Sequence, residues 1–266
     1  MARAPLIRPT DAPPRAHETD AGGLAAARAT EPVAIPDART DVPRHVAIIM
    51  DGNRRWARGR GASELEGHAA GVEAIREVLR HAVRRGIPVL TLYAFSRENW
   101  ARDDDEVVGL FSLLEQAIRS ETEELKAQGV RVRLLGRRDE LPAATRASIE
   151  SALAATADGG RLVLNIAFNY AGRTELVDAV RDIVRAGTPP DEINEATISR
   201  ALYTSGLPDP DLVIRTGGEQ RLSNFLIWQS AYAELLTTET LWPDFGPADL
   251  DGALAEFASR TRRFGR

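Results

Sequence analysis

From residue 43 onward, short apolar runs alternate with amphipathic stretches of ten residues or more. Residues 46–50, 89–95, 130–134, 162–166 and 212–214 are apolar or alternating runs bounded by turn residues, the pattern of strands. Residues 235–241 could add a last strand. Between the runs, Val72, Ile75, Val78, Leu79, Ala82 and Val83 recur at helical spacing, as do Val107, Leu110, Leu114, Ile118 and Leu125. The first of these helices is expected to open at Gly67-His68 and to stop at Gly86 before Pro88; the second starts at residues 103–105 and closes at Gly129. Further helices are expected over 142–156, with Pro142 near the first turn, and over 174–186, 196–203 and 247–263. Strands alternating with such helices make βαβ units, hence an α/β fold with a mostly parallel central sheet flanked by helices. No internal repeat or linker interrupts 43–266, which reads as one domain.

Residues 1–42 read differently. Pro5, Pro9, Pro13, Pro14, Pro32 and Pro36 break any helix, and large apolar residues are scarce, so a disordered Pro/Ala/Arg-rich tail is expected. Asp11, Glu18, Asp20 and Glu31 fit poorly with a transit peptide, and no signal-peptide hydrophobic region is seen. No apolar run approaches a membrane span of about 18 residues. A net charge of −5 gives no reason to expect nucleic-acid binding. The absence of Cys excludes a thiolate metal site, a disulfide scaffold and a Cys nucleophile, and fits a cytoplasmic location.

In an α/β sheet, ligands bind outside the carboxyl ends of the strands. Three polar clusters stand at such ends: residues 51–56 (Asp51, Gly52, Asn53, Arg54, Arg55, Trp56), residues 96–100 (Ser96, Arg97, Glu98, Asn99, Trp100) and residues 215–224, with Arg215, Gly217, Gly218, Arg221 and Ser223. A carboxylate beside guanidiniums suits a metal-bound polyanion, because the carboxylate holds Mg²⁺ and the guanidiniums clamp phosphate through two bonds each. Asp51 alone reads more simply as an Asp-Gly turn; the Arg pair and the distant Arg cluster favour function. Arg215, Arg221 and Ser223 around a Gly-Gly turn make an oxyanion cradle. Glu234, in an apolar context, is expected to be paired or metal-bound. His68 at a helix start suits a cap or an anion contact equally, whereas His81 on the polar side of its helix is expected at the surface. Asp103, Asp104 and Asp105 are expected to favour a helix N-terminus, without the second Asp pair of a metal motif. Met50, Trp100 and Trp242 read as core, and Arg260, Arg262 and Arg263 as cations in a last helical turn. No P-loop, dinucleotide fingerprint, G-x-S-x-G elbow or H-E-x-x-H pair occurs.

Six stretches in order, HVAIIMDGNRRWA, GHAAGVEAI, LYAFSRENW, NIAFNYAGR, DLVIRTGGEQRLSNFLIWQSAYAEL and LWPDF, closely resemble the cis-prenyltransferases, and among them the bacterial undecaprenyl diphosphate synthases. The resemblance covers about residues 43 to 265. It implies a six-stranded parallel sheet holding a hydrophobic tunnel, a Mg²⁺ requirement, a homodimer, and repeated cis addition of isopentenyl diphosphate to an allylic diphosphate, usually farnesyl diphosphate. The long product, an undecaprenyl-type precursor for cell-wall synthesis, implies transient contact with the inner membrane face. Carried over by position, the resemblance makes Asp51 the Mg²⁺-linked carboxylate. Gly52, Asn53, Arg54, Arg55, Trp56 and His68 hold the allylic diphosphate. Arg215, Arg221 and Ser223 hold isopentenyl diphosphate, and Glu234 reaches the metal, from the same chain or across the dimer. Ser96, Glu98, Asn99, Trp100 and Arg102 order the active-site loop, with Asn99 a candidate for assisting proton loss. The tunnel walls are assigned to residues 72–83 and 107–125.

The chain departs from the bacterial pattern at Arg54, often Gly, at Glu64, often Arg, and at Asp103, usually Pro. The expectation is that Arg54 supplies the cation that position 64 lacks. A small Ala94 points to a long product, while Phe168, larger than usual at its place, weighs against it; a short- or medium-chain synthase is the alternative. Two other classes compete: a phosphatase with Asp51 as nucleophile, which would want Asp where Asn53 stands, and a non-catalytic prenyltransferase subunit, which would have lost the Asp-Gly-Asn cluster.

Overall fold

Four strands with almost no exposed residue form the centre of the molecule, which the computed structural model describes for Ile35 and residues 42–260. The tail expected over 1–42 lies outside the described residues except at Ile35 and Val42, as do His17, Arg262 and Arg263. The strands are β1 (His45–Ile49), β2 (Val89–Ser96), β3 (Val130–Leu135), β4 (Leu162–Tyr170), β5 (Leu212–Arg215) and β6 (Glu234–Thr237). All pair in parallel, in the order β3-β4-β2-β1-β5-β6. Helices α1 (Asn53–Gly59), α2 (Glu64–Arg85), α3 (Asp104–Ala127), α4 (Ala143–Ala155), α5 (Gly172–Arg185), α6 (Glu195–Ala201) and α7 (Pro247–Ser259) complete a single α/β domain. The sheet grows one way from β1 through β2 and the other way through β5, so the β1/β5 boundary is a topological switch point, where a crevice opens at the carboxyl ends.

Side chains of β1 alternate across the sheet. Val46 and Ile48 pack with Val78, Leu79, Leu90, Leu92, Trp242 and Leu250, whereas Ala47 and Ile49 pack with Val213, Tyr170, Phe225 and Leu226. A third group, Phe95, Trp100, Phe111 and Phe168, closes the sheet edge under α3. The β2–β4 register breaks there: Tyr93 pairs with Ala167, Phe95 with Phe168 and Ser96 with Tyr170, leaving Ala94 and then Asn169 without an opposite number. Two successive bulges therefore lie at the carboxyl end of the sheet, where bulges commonly re-aim side chains.

Several boundaries differ from expectation. Helix α2 begins at Glu64, not Gly67, because Ser63 and Glu66 form a reciprocal capping box. Helix α1 was not expected; it follows directly from Gly52, whose φ of 114° suits only glycine and whose position against Leu241 leaves no room for a Cβ. Strand β4 continues through Tyr170, β6 ends at Thr237 and α7 ends at Ser259, with Arg260 just beyond its last turn. His81 is not at the surface: α7 covers it, and its Nε2 lies 2.7 Å from Asp251 Oδ1. Trp100 and Trp242 are buried as expected. Asp104, Asp105 and Glu106 occupy the first turn of α3, as expected for acids favoured by the helix dipole.

Candidate active site

The parallel register sets Ile49 beside Arg215, so the ends of β1 and β5 deliver Asp51 and Arg215 to one place. The Asp51 N–H donates to Thr216 Oγ1 (2.9 Å), and the Thr216 hydroxyl donates to the Asp51 carbonyl (2.7 Å), locking the two chain segments together. Arg215 is almost fully buried. Its Nη2 donates to Asp51 Oδ2 at 2.8 Å, and its Nη1 to the Arg221 carbonyl at 2.5 Å and to Ser223 Oγ at 2.7 Å. Arg55 stands 3.3 Å from the other Asp51 oxygen and donates to the Gly217 carbonyl at 2.7 Å. Gly217 and Gly218 both have φ of 80°, and a Cβ on Gly217 would strike Arg55. Ser223, Asn224 and Leu226 also turn through positive φ, which curls this loop back over the cavity.

A cavity of about 540 Å³ opens at this point. Its lining joins the three sequence clusters: Asp51 and Asn53; Ser96, Glu98, Asn99 and Arg102; Arg215, Arg221 and Ser223. His68 lines it too. Burial lowers the His68 pKa, and its Nε2 lies 3.2 Å from Glu106 Oε1, which also accepts from Arg102 Nη1 at 2.8 Å. Tyr93 and Asn224 were not foreseen. Asn224 Nδ2 donates to Glu98 Oε1 at 2.8 Å, tying the β5 loop to the turn after β2, while burial and the nearby Glu98 charge push the Tyr93 hydroxyl up. No periodicity marks such loop residues, although an Asn beside a Gly-rich turn is a signal for positive φ. Behind the polar cavity lies an apolar one of about 200 Å³, between the sheet and helices α2 and α3, lined by Val72, Ile75, Leu114, Ile118, Ile166 and Phe168 among others. The two share Met50, Asn53, His68, Ala94 and Leu110.

The remaining predicted residues are placed otherwise. Trp56 donates to Asp244 at 2.8 Å with Arg60 over its ring, and Trp100 donates to Asn169 at 2.9 Å; neither lines the polar cavity. Arg54 is bound by Glu64 at 2.6 Å, so its charge is offset by the very position expected to lack a cation. Glu234 is ion-paired with Arg260 at 2.9 Å and opens β6 opposite Leu212, at the amino edge of the sheet, while Asp51 lies beyond the carboxyl edge. The same chain therefore does not bring Glu234 to Asp51. Within the described residues no group of three acidic, His or Cys side chains is gathered for a metal. The buried Nε–H donors of Arg54 and Arg215 have no protein partner, consistent with a site built to receive an oxygen-rich ligand; the buried Oδ1 of Asn53, an acceptor, is also without one.

The family model described as "Putative undecaprenyl diphosphate synthase" matches residues 49–265. The chain belongs to the cis-prenyltransferase family. This prenyltransferase is 50% identical to an isoprenyl transferase of Heliobacterium mobile over 228 residues, 84% of the chain and 88% of the relative. It is 49% identical to isoprenyl transferase 2 of Bradyrhizobium diazoefficiens over 245 residues, 91% and 96% of the two chains. Among solved structures, lavandulyl diphosphate synthase from Lavandula x intermedia, in complex with dimethylallyl diphosphate, superposes with a TM-score of 0.83 at 38% identity, covering 86% of this chain and all of that one. A probable undecaprenyl diphosphate synthase from Campylobacter jejuni gives 0.73 at 32% identity, covering 84% and 99%. Membership makes the chain an enzyme that transfers prenyl groups, which displaces the phosphatase and non-catalytic-subunit readings.

Proposed function

We propose that this prenyltransferase condenses isopentenyl diphosphate repeatedly onto an allylic diphosphate, with farnesyl diphosphate as primer, and releases a long polyprenyl diphosphate of the undecaprenyl type. The observation that carries this reading is the junction of a polar cavity around Asp51 and Arg215 with an apolar cavity at Ala94. Diphosphates suit the first, and a hydrocarbon tail suits the second, which serves as the tunnel.

In this reading Asn53, Arg54, Arg55 and His68 anchor the allylic diphosphate around the Gly52 turn. Arg215, Arg221 and Ser223 hold the isopentenyl diphosphate. Two anchored diphosphates turn the approach of alkene to allylic carbon into an encounter within one complex. The allylic C–O bond breaks with its electron pair leaving on diphosphate, the alkene attacks the allylic carbon, and a proton passes from the isopentenyl unit to the departing diphosphate; Asn99 at the cavity edge is the candidate to assist that transfer. Asp51 would hold Mg²⁺: one partly exposed carboxylate with a loosely engaged oxygen fits an ion that takes most of its ligands from phosphate and water. The ion supplies charge neutralisation for the departing diphosphate.

A homodimer is part of the proposal. Exposed Val177, Val180 and Val184 on one face of α5, with exposed Tyr232 and Leu235, support it as surfaces for a partner. Only a second copy could offer Glu234 to Asp51. In this reading the enzyme is cytoplasmic and releases its product through transient contact with the membrane face; no helix among the described residues is long and apolar enough to cross a membrane. A shorter product is the second reading, favoured by Phe168, which stacks on Phe95 with ring centroids 5.0 Å apart and narrows the apolar cavity. Incubating the purified chain with Mg²⁺, labelled isopentenyl diphosphate and farnesyl diphosphate, then sizing the products, tests both. Long polyprenyl products are expected; products stopping after one to a few additions would support the second reading, and no elongation would refute both.

A further inference from the structure

Behind the polar cavity, outside its lining, lies a connected set of polar side chains that the mechanism does not use. Its centre is Asn169, fully buried, unpaired in the sheet register and held at φ of 50°. A bulge in the left-handed region usually takes glycine; asparagine tolerates it and adds an amide. Every polar atom of that amide is matched. Oδ1 accepts from Trp100 Nε1 at 2.9 Å, and Nδ2 donates to the Arg137 carbonyl at 2.9 Å and to Glu140 Oε2 at 3.0 Å. The partners fix its orientation, since indole can only donate whereas a carbonyl and a carboxylate can only accept.

Glu140 also accepts from Arg97, the first residue of the Arg97–Ala101 turn, and from Arg137 at 2.8 Å. Arg137 in turn grips Asp178 through two bonds of 2.9 and 2.8 Å. Burial pushes the Glu140 carboxyl up, but its donors outweigh this and hold it below the usual carboxylate range. The turn is thus tied to the scaffold at Arg97 and at Trp100. Between these ties stand Glu98 and Asn99, which do line the polar cavity. Asn99 is further fixed by accepting the Ser96 N–H at 3.0 Å.

We propose that Asn169, Glu140 and Arg97 form a positioning set that holds the 97–101 turn, and with it Glu98 and Asn99, in register with the reacting groups. The proposal rests on the prenyl-transfer reading of the cavity. None of the three touches the cavity, so they act through the turn. The isopentenyl diphosphate residues sit on a different strand end and are not part of this set.

The test is steady-state kinetics of the full-length chain with Mg²⁺, farnesyl diphosphate and labelled isopentenyl diphosphate. Asn169→Asp keeps the acceptor for Trp100 but turns an oxygen towards Glu140; it should lower kcat by about 10- to 100-fold, as expected for a small misplacement of reacting groups, with KM for isopentenyl diphosphate within about twofold of wild type. Glu140→Gln added to Asn169→Asp reverses the polarity of the pair and should recover about tenfold of the loss. Should Asn169→Asp fail to fold, as judged by its thermal midpoint, Glu140→Gln alone carries the prediction of lowered kcat at unchanged KM. Single variants with wild-type kcat would overturn the proposal. So would a loss spread equally over KM and thermal midpoint, without recovery in the double variant. An inactive wild-type chain would contradict the prenyl-transfer reading instead.

Discussion

At the scale of single residues, the site is a competition for guanidinium groups. Asp51, the Arg221 carbonyl and Ser223 Oγ share Arg215, while Glu64 occupies Arg54. The Arg54–Glu64 pair is partly exposed, so solvent screens it and a stronger anion can take its place. If Arg54 serves the allylic diphosphate, Glu64→Gln should lower KM for that substrate several-fold and Arg54→Ala should raise it by about tenfold, the scale of one charge-assisted contact. Michaelis constants unchanged in both variants would remove Arg54 from the site. The meeting of Asp51 and Arg215 was legible because both follow or end apolar strands that the register then aligns. The partner of Arg54 was not: positions 54 and 64 both depart from the family pattern, but only the fold of α1 against α2 shows that they meet. Likewise Trp56 and Trp100 belong to cavity motifs by sequence, yet their indole N–H groups seek Asp244 and Asn169.

At the scale of elements, periodicity identified the strands and long helices, and their ends followed local chemistry. The Ser63–Glu66 capping box was readable and would have set the start of α2 correctly. The bulges at Ala94 and Asn169 were not readable, because a two-residue alternation continues on paper through both. They matter: Tyr93 joins the Ala47–Ile49 side of the core while Ala94 and Phe95 both meet the aromatic group under α3. Ala94 consequently stands where the two cavities meet. Ala94→Leu adds three carbons at that neck and should shorten the product while leaving the first condensation near wild-type rate. An unchanged product distribution by chromatography would show that the hydrocarbon takes another path.

For the whole molecule, stability has a histidine-dependent acid limb. His45 in β1 is fully buried between Pro208 O (2.8 Å from Nδ1) and Thr91 Oγ1 (2.7 Å from Nε2). Burial, partly opposed by the Pro208 hydrogen bond, lowers its pKa from 6.5 to about 4. The unfolded chain therefore takes up a proton that the folded chain refuses. The stability contributed by neutral His45 is complete above about pH 6.5 and falls by about 1.4 kcal/mol per pH unit as the pH drops towards 4. His68, also lowered by burial, adds a loss of the same sign. Denaturant titrations between pH 7.5 and 5 should show a shallower acid slope for His45→Gln than for wild type, and equal slopes would contradict the assignment. The parallel sheet and its single domain were evident from the alternation of strands and helices. The location of Glu234 was not, since an apolar setting is the same at either end of a strand, and only pairing with Leu212 puts it at the amino edge.

In the proposed mechanism, Asp51 at the switch point drives carbon–carbon bond formation between two diphosphates. The most direct test is a single-turnover experiment with enzyme in excess over farnesyl diphosphate, Mg²⁺ and labelled isopentenyl diphosphate, comparing wild type with Asp51→Ala. The wild type should give elongated prenyl diphosphate. Asp51→Ala should slow that step by about 10³-fold or more, as for loss of a group that stabilises developing charge, with the fold intact by thermal midpoint. Elongation by Asp51→Ala at the wild-type rate would contradict the account.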